Sequence, residues 1–184
     1  MVCCPLSRSS PVYFHTQLWR QCGKRAPRAE IPIAEWKLAV DLEATRAIQN
    51  QEGTPAFNCD CEWCSSWCRS YKHLLPIDLQ EQLVRVGIDI EHPIDLYKYD
   101  SNDDEVCLRV IFHAAGKVLS GPNQWISDEF GRSLLYISLR KEPFLSIVVI
   151  PQRESFESAP VLEGSNGGEL IQIDFRLGFP KNYV

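Results

Sequence analysis

The sequence predicts an α+β domain in which N-terminal helices pack on a C-terminal antiparallel sheet of five or six strands. Apolar residues recur with the 3.6-residue period of a helix before about residue 94, and with the two-residue period of a strand after it. Turn-forming residues, rather than long helices, separate the later apolar runs. Helices gathered ahead of the strands are typical of the α+β class.

Three helices are predicted in the first half of the chain, and the one that contains the cysteines is described below. Residues 33–50 place apolar side chains at Ile33, Trp36, Val40, Ala44 and Ala47, which would form one stripe of an amphipathic helix. A second helix over residues 79–86 would begin with a capping box of Asp78 and Glu81 and end at Gly87, with Ile88 as a hydrophobic cap.

Short runs rich in β-branched and aromatic residues predict the strands of the second half. They are Leu96–Tyr99, Val106–His113, Lys117–Ser120, Ser133–Arg140, Leu145–Ile150 and Leu170–Leu177. In the last run Gln172, Asp174 and Arg176 alternate with apolar residues. This alternation predicts a strand with one face toward water.

The charge distribution predicts a basic arm over residues 1–30 and a single domain over residues 31–184. The arm contains five basic residues and Glu30 as its one acidic residue, whereas the whole chain has a formal net charge of −5. Phosphate contacts come mostly from Lys and Arg, but neither a nucleic-acid-binding motif nor interleaved aromatic residues accompany this arm. We therefore expect no nucleic-acid partner.

Eight cysteines stand out in a chain of 184 residues. The N-terminus lacks the pattern of a secretory signal, and the longest apolar runs are shorter than the ~18–20 residues of a membrane helix. We expect a cytoplasmic protein without a membrane partner. In that compartment clustered cysteines favour metal or redox chemistry over disulfides.

Four of the cysteines, Cys59, Cys61, Cys64 and Cys68, fall within ten residues. A helix capped by Asp60 or Asn58 and running to about His73 would place Cys61 and Cys64 on its first turn. There the backbone N–H groups and the helix dipole lower the pKa of a thiol.

These four cysteines are candidate zinc ligands. Sulfurs around one tetrahedral zinc ion lie roughly 4 Å apart, whereas seven helical residues separate Cys61 and Cys68 by roughly 10 Å along the axis. Either the segment is a loop wrapped around the metal, or Cys59, Cys61 and Cys64 bind it with a fourth ligand from elsewhere. The available fourth ligands are Cys22, His73 and Cys107.

Other interpretations of the cluster remain open. An iron–sulfur cluster also uses four thiolates. Cys61 and Cys64 have the C-x-x-C spacing of a redox pair, although no strand of a thioredoxin-like unit precedes them. Free cysteines are also often buried as small apolar residues.

Trp63, Trp67 and Tyr71 recur every four residues and should pack this helix onto the sheet.

The cluster also carries a resemblance to a family. Cys59, Cys61, Cys64 and Trp67, followed by Gly87-Ile88-Asp89 and His92-Pro93, are similar to an uncharacterised group of small bacterial proteins of unknown function with a C-x-C-x-x-C motif. The segment from Gly116 to Pro122 and the terminal strand would match its later hairpin and strand. The resemblance implies no activity, and Cys68 lies outside the shared three-cysteine run.

Function is expected to be binding rather than catalysis. We find no Ser-His-Asp or Cys-His arrangement and no glycine-rich phosphate loop in the sequence. An acidic body beside a basic arm suits a protein partner, as in an adaptor or immunity protein, or self-association. Trp125, between two predicted strands, is either an exposed interface anchor or a side chain folded back onto the core.

Overall fold

A computed structural model describes residues 28–50, 59–101, 105–129, 131–155, 157, 159 and 169–180. Most of the predicted basic arm lies outside these residues, and its last two positions, Ala29 and Glu30, begin the first strand. These residues contain the α-helices α1 (Leu42–Gln49), α2 (Glu62–Leu74) and α3 (Ile77–Val86). The strands are β1 (Ala29–Ile33), β2 (Trp36–Val40), β3 (Asp95–Ser101), β4 (Glu105–Ser120), β5 (Trp125–Asp128), β6 (Gly131–Leu134), β7 (Ile137–Arg140), β8 (Leu145–Pro151) and β9 (Leu170–Pro180).

Helices and a seven-stranded antiparallel sheet fit the predicted α+β class, but the sheet is larger than predicted. Its order is β1-β2-β4-β9-β8-β7, with β3 also paired to β4, and β5 and β6 form a separate hairpin. The runs predicted as Val106–His113 and Lys117–Ser120 form the single strand β4. Two strands also precede the helices, so the predicted order of helices before sheet is wrong.

The helix predicted over residues 33–50 is a β-hairpin followed by a short helix. Ile31, Ile33, Trp36, Leu38 and Val40 are all buried, and they alternate with more exposed residues on both sides of a turn. That two-residue period decides the structure because it lets both strands bury one face. Pro32 fits here because β1 is an edge strand of the sheet.

The second predicted helix is confirmed as α3, with a different start. Pro76 occupies the N-cap position without a side-chain hydrogen bond, so the capping box predicted for Asp78 and Glu81 does not form. Gly87 adopts the left-handed conformation at φ 91°, and the amide of Ile88 donates to the carbonyl of Leu83. The C-terminal cap therefore forms as predicted.

The sheet has two covered faces. On the first face Leu108, Val110 and Phe112 of β4 join residues of β8 and β9 in the main hydrophobic core. Helix α2 packs on this core through Trp67, whose ring centroid lies 6.5 Å from that of Phe112. The second face, which carries Arg109 and His113 of β4, contains buried polar side chains. We call these the first and second faces below.

Helix α1 fills a gap beside β4. Along one edge of β4, β3 pairs with residues 106–111 and β2 with residues 116–120. Between them, Thr45 Oγ1 accepts from the amide of Ala115 at 3.0 Å, and Gln49 Nε2 donates to the carbonyl of His113 at 2.9 Å. Two side chains one helical turn apart thus replace a missing strand, because buried backbone groups must find partners.

Candidate metal centre

Three of the predicted cysteine ligands converge at the start of α2. Cys59 precedes the helix, Cys61 is its N-cap residue and Cys64 lies in its first turn. Their three sulfur atoms all lie within 4.8 Å of one another. Because ligand sulfurs of a tetrahedral zinc site lie roughly 4 Å apart, this group could hold a metal ion after only a small approach. No other cluster of this kind is found in the described part of the chain.

The thiol environment differs from the one predicted. Burial, followed by hydrogen bonds with Cys61 and Cys59, raises the pKa of Cys64. The prediction of a lowered thiol pKa on this turn is therefore wrong for Cys64, because burial removes the water that would stabilise its thiolate. Without a cation the Cys64 thiol stays protonated, and a protonated thiol is a poor nucleophile.

Cys68 does not join the other three cysteines. Helix α2 continues without a break from Glu62 to Leu74, so seven residues of helical rise separate Cys61 from Cys68. The Cys68 thiol is exposed and donates to the carbonyl of Glu91 at 3.2 Å. The structure thus brings together three of the four candidate ligands.

Two of the proposed fourth ligands also lie elsewhere. His73 is exposed in the last turn of α2, at the opposite end from Cys61. Cys107 belongs to β4, on the face that points away from α2. Cys22 lies outside the described residues.

The aromatic stripe of α2 secures the turn formed by residues 89–92. Trp67 is fully buried, and its indole Nε1 donates to the carbonyl of Ile90 at 2.7 Å. The Tyr71 hydroxyl donates to Glu91 Oε1 at 3.0 Å. Together with the Cys68 contact, these bonds tie α2 to the turn that leads into β3. The sequence predicted the packing role of this stripe, but not these hydrogen bonds.

The second face carries a polar cluster that sequence analysis missed. Asp174 of β9 is fully buried and accepts from Arg109 Nε at 2.9 Å and from the Tyr136 hydroxyl at 3.0 Å. Arg109 also contacts Tyr97 and Glu157. The face predicted to be wet is therefore buried. The alternation of Gln172, Asp174 and Arg176 in the sequence was the signal that could have revealed this cluster. These polar residues face other polar side chains inside the protein rather than water.

The Trp125 side chain contacts Glu154 and Arg132. Its indole Nε1 donates to Glu154 Oε2 at 3.1 Å. The guanidinium carbon of Arg132, on the neighbouring strand β6, lies 4.1 Å from the ring centroid. The residue is half-buried, so it is neither fully exposed nor part of the core.

Comparison of the chain with protein-family models, curated proteins and solved structures finds no match. The resemblance to small bacterial proteins with a C-x-C-x-x-C motif therefore stays a prediction. Among the described residues, no helix has the length and apolar character needed to cross a membrane. What the structure itself supports is a three-cysteine group able to hold a metal ion.

Proposed function

We propose that the chain is a non-enzymatic protein-binding domain in which Cys59, Cys61 and Cys64 hold a structural zinc ion. The observation that carries the proposal is the convergence of three sulfur atoms within 4.8 Å. Zinc suits this group because it prefers thiolates and binds structural sites with tetrahedral geometry. The ion would fix the segment before α2 against the first turn of that helix.

The helix N-terminus supports a thiolate-bound metal electrostatically. Cys61 occupies the N-cap position of α2 without a side-chain hydrogen bond to the helix. A divalent zinc ion has a net charge of about −1 with three thiolates and about −2 with four, and the positive end of the helix dipole stabilises such a charge.

Of the fourth ligands that the sequence offers, Cys22 lies outside the described residues and is the one to be tested. Cys68, His73 and Cys107 all lie away from the three-cysteine group. Substitution of Cys22 by Ser should weaken zinc binding without abolishing it, because three thiolates remain. If a zinc competition titration gives wild-type affinity for Cys22→Ser, the fourth ligand is another group.

Metal content is the decisive measurement. Protein purified without an affinity tag or chelator should contain about one zinc ion per chain by elemental analysis, and fewer than about 0.3 zinc or iron per chain would overturn the metal proposal. Cys64→Ser should lose the metal. Cys68→Ser is the matched control on the same helix and should retain it. Equal loss in both variants would contradict the assigned ligand set.

A thiol redox pair of Cys61 and Cys64 is the second candidate function. The proximity of these two sulfur atoms at a helix start favours it. A metal site should protect both thiols from alkylation until a chelator is added, whereas a redox pair should react without one. Disulfide reductase activity that is lost in Cys61→Ser, with the fold intact, would favour the redox function.

Protein binding is the remaining part of the proposal. It is supported by the acidic net charge of −5 and by the half-buried Trp125, an amphipathic residue type enriched at interfaces. Light scattering should reveal self-association, or a pull-down should enrich a partner that Trp125→Ala loses. Ile77→Ala, which changes an exposed residue on α3, is the control. Monomeric protein without a Trp125-dependent partner would refute this part.

A further inference from the structure

A chain of hydrogen bonds crosses the second face of the sheet. Arg109 binds Asp174, and Asp174 Oδ2 accepts from Gln172 Nε2 at 3.0 Å. At the other end, Arg109 binds Glu157. The Glu157 carbonyl accepts from Gln152 Nε2 at 2.8 Å, and Gln152 Oε1 lies 2.6 Å from His113 Nε2. We call this chain, from Gln172 around to His113, the polar chain.

The partners fix which atoms donate. Gln172 must direct its NH₂ group at a carboxylate, and Gln152 must direct its NH₂ group at a carbonyl, so both side-chain oxygens are acceptors. Because Gln152 Oε1 faces His113 Nε2, that nitrogen must carry a proton. Burial lowers the pKa of His113 to about 4. The imidazole is therefore neutral at pH 7, and its Nδ1 is an acceptor.

The two ends of the polar chain are acceptors without a donor. Among the described residues, nothing donates a hydrogen bond to His113 Nδ1 or to Gln172 Oε1. Both side chains are fully buried. His113 and Gln172 are direct partners in the register of β4 and β9, so their side chains stand side by side on the second face. Each of these two buried acceptors therefore needs a donor, and the register places both residues in the same part of the second face.

We propose that one buried water molecule bridges His113 Nδ1 and Gln172 Oε1 and closes the polar chain into a ring. Water fits because it supplies two O–H donors, one for each acceptor, and internal waters occur where buried polar groups lack partners. Gln152 and Glu157 already bind His113 and Arg109 of β4 directly. The water would add a bridge between the side chains of β4 and β9, and it would make this part of the second face a hydration site.

Nitrogen-15 NMR of the His113 ring provides the first test. We expect a neutral ring protonated at Nε2, with the chemical shift of a hydrogen-bonded acceptor at Nδ1. A ring protonated at Nδ1 would overturn the proposal, because that nitrogen could then donate directly to Gln172 Oε1.

A high-resolution crystal structure provides the second test. It should show one water within about 2.7–3.2 Å of both His113 Nδ1 and Gln172 Oε1. Direct contact between the two side chains, or a gap without density, would refute the site. Cross-relaxation between this water and neighbouring protons should disappear in Gln172→Leu. A signal that persists unchanged in this variant would equally overturn the bridge.

Discussion

At the scale of single residues, Asp174 and Arg109 are the most consequential pair of the second face. Asp174 is fully buried, and burial raises its pKa although Arg109, Tyr136 and Gln172 all stabilise the carboxylate by hydrogen bonds. The charge is tolerated in the interior because each of these partners replaces water. Removing one partner leaves a buried charge partly uncompensated, which is much more costly than the loss of an exposed ion pair.

Substitution of Arg109 by Leu should therefore destabilise the protein strongly. We expect the free energy of unfolding in urea to fall by about 3–5 kcal/mol, because Asp174 loses its counter-ion. Arg153→Leu is the matched control, since Arg153 has 69% exposure and pairs with Glu169 at the surface; its effect should stay below about 1 kcal/mol. Similar effects of the two substitutions would show that Asp174 does not depend on Arg109.

His113 should make stability depend on pH. Burial lowers its pKa from 6.5 to about 4 in the folded protein, against a smaller opposite effect of Gln152 and Glu157. Between these two pH values the unfolded chain binds a proton at His113 and the folded protein does not. The neutral, buried His113 therefore contributes fully to the free energy of unfolding above pH 6.5, and this contribution is lost as the pH falls toward 4. The loss should reach about 3 kcal/mol at the acid end.

The difference between wild type and His113→Phe isolates this contribution. Asp174 has a raised pKa and acts in the opposite direction, but it titrates in both proteins. The free energy of unfolding should therefore fall more steeply with acid in wild type than in the variant. If the free energies of unfolding of wild type and variant run parallel between pH 7 and about pH 4.5, His113 is protonated equally in the folded and the unfolded protein.

At the scale of secondary-structure elements, the spacing of hydrophobic residues predicted most of the sheet and α3. It predicted a helix where the structure has β1 and β2. Ile33, Trp36 and Val40 match a helical spacing, although Ile31 and Leu38 complete an alternating pattern on each side of Ala34 and Glu35. Alternation within five-residue strands is too short to exclude a helix. Tertiary pairing makes this segment a strand, because β2 pairs with residues 116–120 of the long strand β4.

Two glycines make that pairing possible. A Cβ atom on Gly116 would lie 2.1 Å from the backbone oxygen of Ala39, and one on Gly121 would lie 2.1 Å from Trp36 Cδ1. Both sit in the segment from Gly116 to Pro122. In this chain their physical role is the close approach of β4 to β2, which a sequence pattern does not reveal.

Gly116→Ala should accordingly separate β2 from β4. We expect a loss of at least about 2 kcal/mol in unfolding free energy, because the obstructing atom is backbone and cannot rotate away. Lys117→Ala, one residue further, removes a half-exposed side chain from an ion pair with Glu169 and should cost less than about 1 kcal/mol. Amide exchange in β1 and β2 should accelerate in Gly116→Ala alone; unchanged exchange there would contradict the role assigned to the glycine.

At the scale of the whole molecule, the core and the three-cysteine group are organised separately. The main core joins both halves of the chain around β4, β8 and β9, and Trp67 and Leu74 attach α2 to it. The cysteines lie at the opposite end of α2 from Leu74, and only Cys64 is buried. Spacing alone predicted that Cys59, Cys61 and Cys64 can meet, since the contact is local. The distant partners of Asp174 could not be predicted, because strands far apart in the chain bring them together.

This separation predicts a local response to metal removal. If zinc binds as proposed, a chelator should accelerate amide exchange over residues 59–66, because the segment before α2 loses its attachment. Exchange in β4 and β9 should change little, since Trp67 still packs on Phe112 and donates to Ile90. Cys68→Ser should respond to the chelator like wild type, whereas Cys64→Ser should show the fast exchange without it. Global unfolding on chelation would instead mean that the core depends on the metal, and no change anywhere would mean that the cysteines hold no ion.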